Sequence, residues 1–313
     1  MILKNNVARL VSLCKVDHYS QKIKGKSGFM KTIIKLWVFL CLFFAAGFSP
    51  VFSSIQNEGS LRILSYNIAG LHNIISPLKN RKNMTLIGEK INDFDIVLLQ
   101  ENFSYSSLLM ETTNFPFWQK ADTRGLLGSG LMRLSRFPFW EFYRYKWPKC
   151  SGIFSKDSDC LAKKGFTFSR YEVSPGVFID VYNIHSDAGR HKKDKKARLA
   201  QLNFLAAKIK ENSKGRAVII GGDWNLLHDD EDDQLIFGLF MVKNKFRYMC
   251  SDLRCSETGQ GALDRFVFRD GKKVSLKQRH LALPSELNFY DQKGIPLSDH
   301  DPLLLELDWF LKD

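Results

Sequence analysis

The sequence predicts an α/β or α+β fold, a layered sandwich of β-sheet and helix, and three observations carry that expectation. Short β-rich runs alternate with helical patterns along the chain. Two of the runs, in DIVLLQEN and RAVIIGGDWNLL, are continuously apolar, as strands buried on both faces are. No linker, repeat or low-complexity stretch divides residues 54 to 313, and interleaved elements of this kind bury their apolar faces in layers.

Element by element, LRILSYNIAGL alternates Leu61, Ile63 and Ser65 against Arg62, Leu64 and Tyr66 and reaches Asn67. MTLIGEKINDF follows with Met84, Ile87 and Ile91 at helical spacing. DIVLLQEN reads as a strand ending at Gln100, Glu101 and Asn102, and RFPFWEFYRYKWPKCSGIF, dense in aromatics, reads either as part of a membrane-facing edge or as a core strand from Phe139 to Tyr145. GVFIDVYNIHSDAG is a strand ending at His185. DKKARLAQLNFLAAKIKEN is an amphipathic helix with Leu199, Leu202, Leu205, Ala206 and Ile209 inward. RAVIIGGDWNLL leads into Asp223 and Asn225. ALDRFVFRD, LPSELNFYD and the closing PLLLELDWF are expected strands.

The first 53 residues read differently. Lys31 and Lys35 precede an apolar core from Leu36 to Ala46, then Gly47, Pro50 and small residues near Ser53, which is the layout of a cleaved signal peptide. The apolar core is shorter than the roughly 20 residues of a spanning helix. Residues 30 to 53 are therefore expected to be a signal peptide, residues 1 to 29 a mis-called extension, and residues 54 to 313 a single catalytic domain, secreted or periplasmic. The full chain carries a net charge of +13, but residues 54 to 313 hold 38 Lys and Arg against 32 Asp and Glu, or +6. That balance weakly favours phosphate-rich or anionic partners. Cys150 with Cys160 and Cys250 with Cys255 form two close pairs, expected as disulfides in an exported protein. A four-cysteine zinc site ordinarily has tighter spacings.

Five strand ends carry polar groups: Asn67, Glu101, His185, Asp223 with Asn225, and Asp299 with His300. Rigid strands hold such side chains in one cleft while loops vary around them. Glu101, Asp299 and the carbonyl of Asn67 are hard oxygen donors suited to Mg²⁺ or a similar cation rather than zinc. One histidine can take a proton from water while a second steadies charge on a phosphoryl oxygen. These are the parts for metal-assisted attack of water on a phosphodiester.

The ordered motifs SYNIAG, LLQEN, NIHSDAG, GGDWN, LDRF and LSDHDPL resemble the endonuclease/exonuclease/phosphatase superfamily. That group includes pancreatic deoxyribonuclease, apurinic endonucleases, inositol polyphosphate phosphatases and bacterial sphingomyelinases. The resemblance spans residues 61 to 308 and implies a four-layer sandwich of two packed β-sheets flanked by helices. It makes Glu101 the principal ligand of Mg²⁺, or of another divalent cation such as Mn²⁺ or Co²⁺, with Asn67 and Asp299 near the same ion. It makes His300 the general base, oriented by Asp264, has Asp223 and Asn225 position water or phosphate, and assigns His185 to the developing phosphoryl charge. GSGLMRLSRFPF, DCLAKKGF and HSDAGRHKKDKKARLAQL resemble the bacterial sphingomyelinase branch.

The expected function is thus a sphingomyelinase C-like phospholipid phosphodiesterase acting as a monomer on a membrane surface. A secreted deoxyribonuclease is the alternative. Trp147, Ile153 and Phe154, on either side of Cys150, are expected to form an apolar edge that enters the membrane. The basic run GRHKKDKKAR fits either a nucleic-acid backbone or anionic headgroups. A silent binding module on the same fold would be expected to lack Glu101, Asp223 or His300, and all three are present.

Overall fold

The computed structural model describes residues 56–70, 80–122, 128–151, 160, 162–248, 263–282 and 284–312. The expected signal peptide, the Cys250 and Cys255 pair, Ile153 and Phe154 lie outside the described residues. The strands are β1 (Glu58–Asn67), β2 (Ile96–Gln100), β3 (Phe117–Gln119), β4 (Met132–Ser135), β5 (Phe139–Lys146), β6 (Gly165–Ser174), β7 (Val177–His185), β8 (Ala217–Asp223), β9 (Arg247–Tyr248), β10 (Asp264–Arg269), β11 (Val274–Ala282) and β12 (Leu303–Leu311). The helices are α1 (Asn80–Lys90), α2 (Ser106–Glu111), α3 (Lys192–Asn212), α4 (Glu231–Asn244) and the single turn α5 (Pro284–Leu287).

Two six-stranded sheets result, in the orders β11-β12-β1-β2-β4-β3 and β5-β6-β7-β8-β10-β9. Their inner faces share one apolar cluster that includes Leu61, Ile63, Leu98, Val181, Ile219, Phe266 and Leu305. The outer face of the first sheet packs Leu64, Val97 and Leu99 against Met84, Ile87 and Leu109 of α1 and α2. The second sheet packs Tyr182, Val218 and Ile220 against Leu202, Leu205, Ile209 and Phe237 of α3 and α4. The architecture is the four-layer α/β sandwich that the motif order implied.

This topology decides where polar strand ends meet. Each sheet has one parallel pair, β1 with β2 and β7 with β8, so that Asn67 lies opposite Gln100 and His185 opposite Asp223. β10 runs antiparallel to β8 and begins with Asp264 opposite Asp223. β12 runs antiparallel to β1, with Leu303 opposite Ser65, so the turn bearing Asp299 and His300 arrives at the same pole.

Three expectations are corrected. Trp147 does not form a membrane-facing edge: it is 4% exposed, packs on Phe166, and its Nε1 donates to the His185 carbonyl at 2.7 Å. An indole needs one hydrogen-bond acceptor when buried, and the strand end supplies it. LPSELNFYD is not a strand. Pro284 to Leu287 turn as a helix, consistent with the tolerance of proline in a first helical turn. In α3, Leu199 is exposed, whereas Arg198 and Gln201 are fully buried beside Leu202, Leu205 and Ile209. Arg198 forks onto Asp233 of α4 at 2.9 Å to each carboxylate oxygen and donates to the carbonyls of Asp187 and Gly189. That pairing outweighs the apolar pattern because a buried charge must be matched.

The strand from Phe139 onward is present, but it is the edge of its sheet, with Trp140 and Tyr143 exposed. Cys150 and Cys160 are bonded, with Cα atoms 5.4 Å apart. The root of that loop is fastened to the segment after β7 and to α3, since Ser151 N donates to Asp187 Oδ2 at 2.7 Å and Gln201 Nε2 donates to the Lys149 carbonyl. Among the described residues no helix is long and apolar enough to cross a membrane.

Trp147→Ala is expected to cost about 3–5 kcal/mol of stability, read from denaturant unfolding. An unchanged midpoint with weakened vesicle binding would restore the surface reading. Replacing both Cys150 and Cys160 by serine should cost about 2–3 kcal/mol through the lost loop constraint, measured in the same way.

Candidate active site

Glu101, immediately after β2, has φ 55°, a left-handed backbone that side chains adopt only when the surroundings hold them there. The Glu101 carbonyl accepts from Gly70 N at 2.9 Å and from Phe103 N at 2.8 Å, while Asn102 N donates to the Gly130 carbonyl. Gly130 has φ +63° and a Cβ there would lie 3.0 Å from the Glu101 Cα, so this crossing requires glycine. Asn225, at φ 49°, occupies the corresponding bend after β8. Gly222, with φ +143°, lets β8 close on β7, because a Cβ would sit 2.1 Å from the Ile184 carbonyl oxygen.

The Asn67 amide is the meeting point. Its Nδ2 lies 3.1 Å from Glu101 Oε1, 3.1 Å from Asp223 Oδ2 and 3.4 Å from His300 Nε2. Its Oδ1 accepts from Ala69 N, which is itself in a left-handed conformation. His300 Nδ1 contacts Asp264 Oδ2 at 2.7 Å, and its Nε2 lies 3.9 Å from Asp223 Oδ2. His185 is 1% exposed, with Nε2 3.4 Å from Asp223 and 3.8 Å from Glu101, and neither ring nitrogen makes a well-aligned hydrogen bond. Such a buried, unsatisfied ring calls for an explanation, and a missing ligand is one.

Asn225 donates from its backbone to Asp223 Oδ1 and from its amide to the Ser186 carbonyl, which fixes the Asp223 carboxylate. Asp299 is exposed on the turn before β12 and faces Ser298 Oγ at 3.4 Å. Ser298 Oγ in turn donates to the Asn67 carbonyl at 2.7 Å, joining the turn to β1. The structure thus brings Asn67, Glu101, His185, Asp223, Asn225, Asp264 and His300 into one cluster, with Asp299 at its rim.

Burial raises both Glu101 and Asp223 above the usual carboxylate range, despite the opposing pull of Lys164, His300 and the Asn67 amide. Burial also drives His185 well below its ordinary value, helped by the charges of Lys164 and His300, so it is neutral. For His300, desolvation pulls downward, but Asp264, Asp223 and Asp299 outweigh it and raise the imidazole to about 10. Lys164 escaped the sequence reading although it lies in the quoted DCLAKKGF. It is 8% exposed, donates to the Ser186 carbonyl at 3.3 Å, and acts electrostatically on Glu101, His185 and Asp223. A lysine just before a strand has no local pattern that separates it from surface lysines.

Two buried carboxylates sharing one neutral amide leave the cluster short of positive charge, and its donors are hard oxygens. This fits a divalent cation of the Mg²⁺ type, which keeps several waters and needs only one or two carboxylates. Among the described residues no three His, Cys, Asp or Glu side chains form a ready-made cage.

Residues 64–300 match the model of the endonuclease/exonuclease/phosphatase family. The chain belongs to that family. Sphingomyelinases of Mycobacterium tuberculosis and Mycobacterium bovis are 30% identical to it over 269 residues, which cover 79% of this chain and 52% of theirs. The chain therefore spans about half the length of these curated relatives. Solved structures share the family fold. Staphylococcus aureus beta toxin superposes with a TM-score of 0.59 at 18% identity, over 78% of this chain and 99% of its own. D. rerio TDP2, complexed with a single-strand DNA product, gives 0.61 at 18% identity, over 80% and 99%. A Staphylococcus aureus beta toxin variant has been solved with bound magnesium ions, at a TM-score of 0.60, 17% identity, and coverage of 79% and 99%.

Asp264→Asn should move the His300 pKa down from about 10. NMR titration of the imidazole in metal-free protein checks this, and an unmoved pKa would remove Asp264 as the cause. Because the folded pKa is raised, the pair's stabilisation is full below about 6.5 and fades as pH rises through about 10. The variant should flatten that slope.

Proposed function

We propose that the chain is an exported, divalent-metal-dependent phosphodiester hydrolase of the sphingomyelinase C type, releasing phosphocholine and ceramide. The observation that supports it most is the single Asn67 amide in contact with Glu101, Asp223 and His300, side chains drawn from both sheets. The similarity to mycobacterial sphingomyelinases favours a phospholipid over a polynucleotide. The bonded Cys150 and Cys160 favour an oxidising compartment, in line with the expected signal peptide.

In this reading Glu101 would be the principal metal ligand, with Asn67 and Asp299 near the same ion. The cation supplies positive charge that polarises a phosphoryl oxygen and offsets the carboxylates holding His300 protonated. Asp264 accepts a hydrogen bond from the Nδ1–H of His300, which leaves Nε2 to take a proton from the attacking water. Asp223, fixed by Asn225, orients that water and the phosphate. His185, neutral and unpartnered, donates toward the phosphoryl oxygen as charge develops, and the nearby Lys164 ammonium adds to the field. Water adds to phosphorus as His300 takes its proton, the bond to the ceramide oxygen breaks, and that oxygen takes up a proton from solvent.

The test is hydrolysis of sphingomyelin vesicles and of double-stranded DNA, side by side with Mg²⁺. Phosphocholine release without nicking is expected, and nicking alone would make the chain a nuclease. His300→Ala should lower turnover by about 10²–10⁴-fold, and Glu101→Ala and excess EDTA should each abolish it. Full turnover in Glu101→Ala would refute the ligand assignment, and full turnover in EDTA would refute metal dependence.

A further inference from the structure

Three of the six Lys and Arg in the basic run at the start of α3 are paired with acids. Lys195 pairs with Asp230 at 2.6 Å and Asp232 at 2.9 Å, Arg190 with Asp229, and buried Arg198 with Asp233. Positive charge also collects at the far ends of the strands that carry the site. There, a cleft of about 630 Å³ is bounded by Gly215 and Arg216 ahead of β8, the end of α4, and the β10–β11 turn. β8 separates this cleft from Asp223 by its seven residues, roughly 20 Å at strand rise.

Six cations line the cleft: Arg216, Lys245, Arg247, Arg269, Lys272 and Lys312. Asp270 is the one acid among the lining residues, and Arg247 at 2.6 Å and Lys312 at 3.7 Å already face it. Arg216 also feels buried Asp180, but that carboxylate is held by Arg170 through two hydrogen bonds. Arg269 is half-buried, where desolvation works against its charge. The walls are fixed by backbone hydrogen bonds: Lys272 N donates to the Gly215 carbonyl at 2.8 Å and Gly271 N to that of Val274 at 2.8 Å. The left-handed Lys245 closes α4.

We propose that this cleft is a second ligand site, one that binds a compact multivalent phosphate such as a polyphosphate chain. Guanidinium forks match phosphate oxygens, while the lysines contribute point charges around them. Several dispersed cations favour linked phosphates over a single one. Buried Phe246 and Phe268 lie beneath the Arg269 and Arg247 guanidinium planes and offer no face for a nucleobase. The cleft is concave and lies at the pole away from the site, which favours a soluble anion over a lipid headgroup in the membrane where the substrate sits. This last point rests on the lipid reading above, whereas the site itself does not.

The experiment is calorimetric titration of inorganic tripolyphosphate into the EDTA-treated, desalted full chain at low salt. One-to-one binding is expected, weakened about tenfold or more by Lys245→Glu with Lys272→Glu and retained by Lys245→Arg with Lys272→Arg. His185→Ala should leave binding intact, and melting curves confirm that each variant folds. The proposal falls if the double Glu variant binds as well as the parent. Loss of binding in His185→Ala would place the anion in the catalytic cluster, and equal affinity for orthophosphate would remove the multivalent claim. Phosphatidylglycerol vesicles supply the remaining arm: charge-dependent vesicle binding without tripolyphosphate binding would make this a membrane-docking face.

Discussion

The site depends on how one sheet is held over the other, and a buried amide pair sets that relation. Gln100, at the end of β2, donates from Nε2 to Asn183 Oδ1 of β7 at 2.7 Å, and Asn183 Nδ2 returns to the carbonyls of Leu99 and Met132. Arg133 of β4 makes a second crossing, reaching Thr167 Oγ1 at 2.6 Å, the Tyr171 hydroxyl and the Val181 carbonyl. The apolar contacts between the sheets supply most of the burial, but they are non-directional and tolerate sliding. A hydrogen bond does not, because a slip leaves buried polar groups unpaired at about 1–3 kcal/mol each. Asn67 and Glu101 stand on one sheet, His185, Asp223 and Asp264 on the other. The contacts that cross between them, Asn67 to Asp223 at 3.1 Å and Glu101 to His185 at 3.8 Å, exist only at one lateral offset.

Much of this was legible along the chain because a strand that stops at a polar residue is a local event. Ile96 to Gln100 followed by Glu101, and Ala217 to Asp223 followed by Asn225, show their apolar run and their polar end in consecutive letters. What failed was set by partners distant in sequence. Trp147 has the composition of an exposed amphipathic loop, and only the arrival of the His185 carbonyl makes a buried indole acceptable. Arg198 and Gln201 displaced Leu199 from the inner stripe of α3 because Asp233 and the Lys149 carbonyl receive them. Periodicity has no access to either partner. In LPSELNFYD the pattern spans too few residues to separate a strand from one helical turn, and the proline at its start decided it.

Charge shows the same limit. The run from Gly189 to Arg198 is the most basic-looking stretch of the chain, yet Asp229, Asp230, Asp232 and Asp233 around the start of α4 pair with its Arg190, Lys195 and Arg198. Acids at the start of α4 and lysines at its end also suit the helix dipole. Positive charge also gathers at a second place, which the sequence does not mark. Arg216, Lys245, Arg269 and Lys272 are scattered over nearly sixty positions and become neighbours only because β8 begins where α4 and β10 end.

At the site the balance runs the other way, toward too little positive charge. Glu101 and Asp223 are both buried, both raised by desolvation, and both lean on one neutral amide. Glu101, Ala69 and Asn225 are also held in left-handed backbone conformations, which cost of order 1–3 kcal/mol each. A fold selected only for stability would shed these features, since an unmatched buried carboxylate and a strained bend each have simple replacements. Their joint placement at the ends of β1, β2 and β8 is understandable if the cluster is completed by a ligand that brings positive charge to the carboxylates and an acceptor to His185. The same crowding would then have two effects: it costs the fold stability and strengthens its hold on that ligand. The rigid pairing of the two sheets lets the strain persist, because any local relaxation of Glu101 or Asp223 would have to break the Asn67 contacts that both sheets fix.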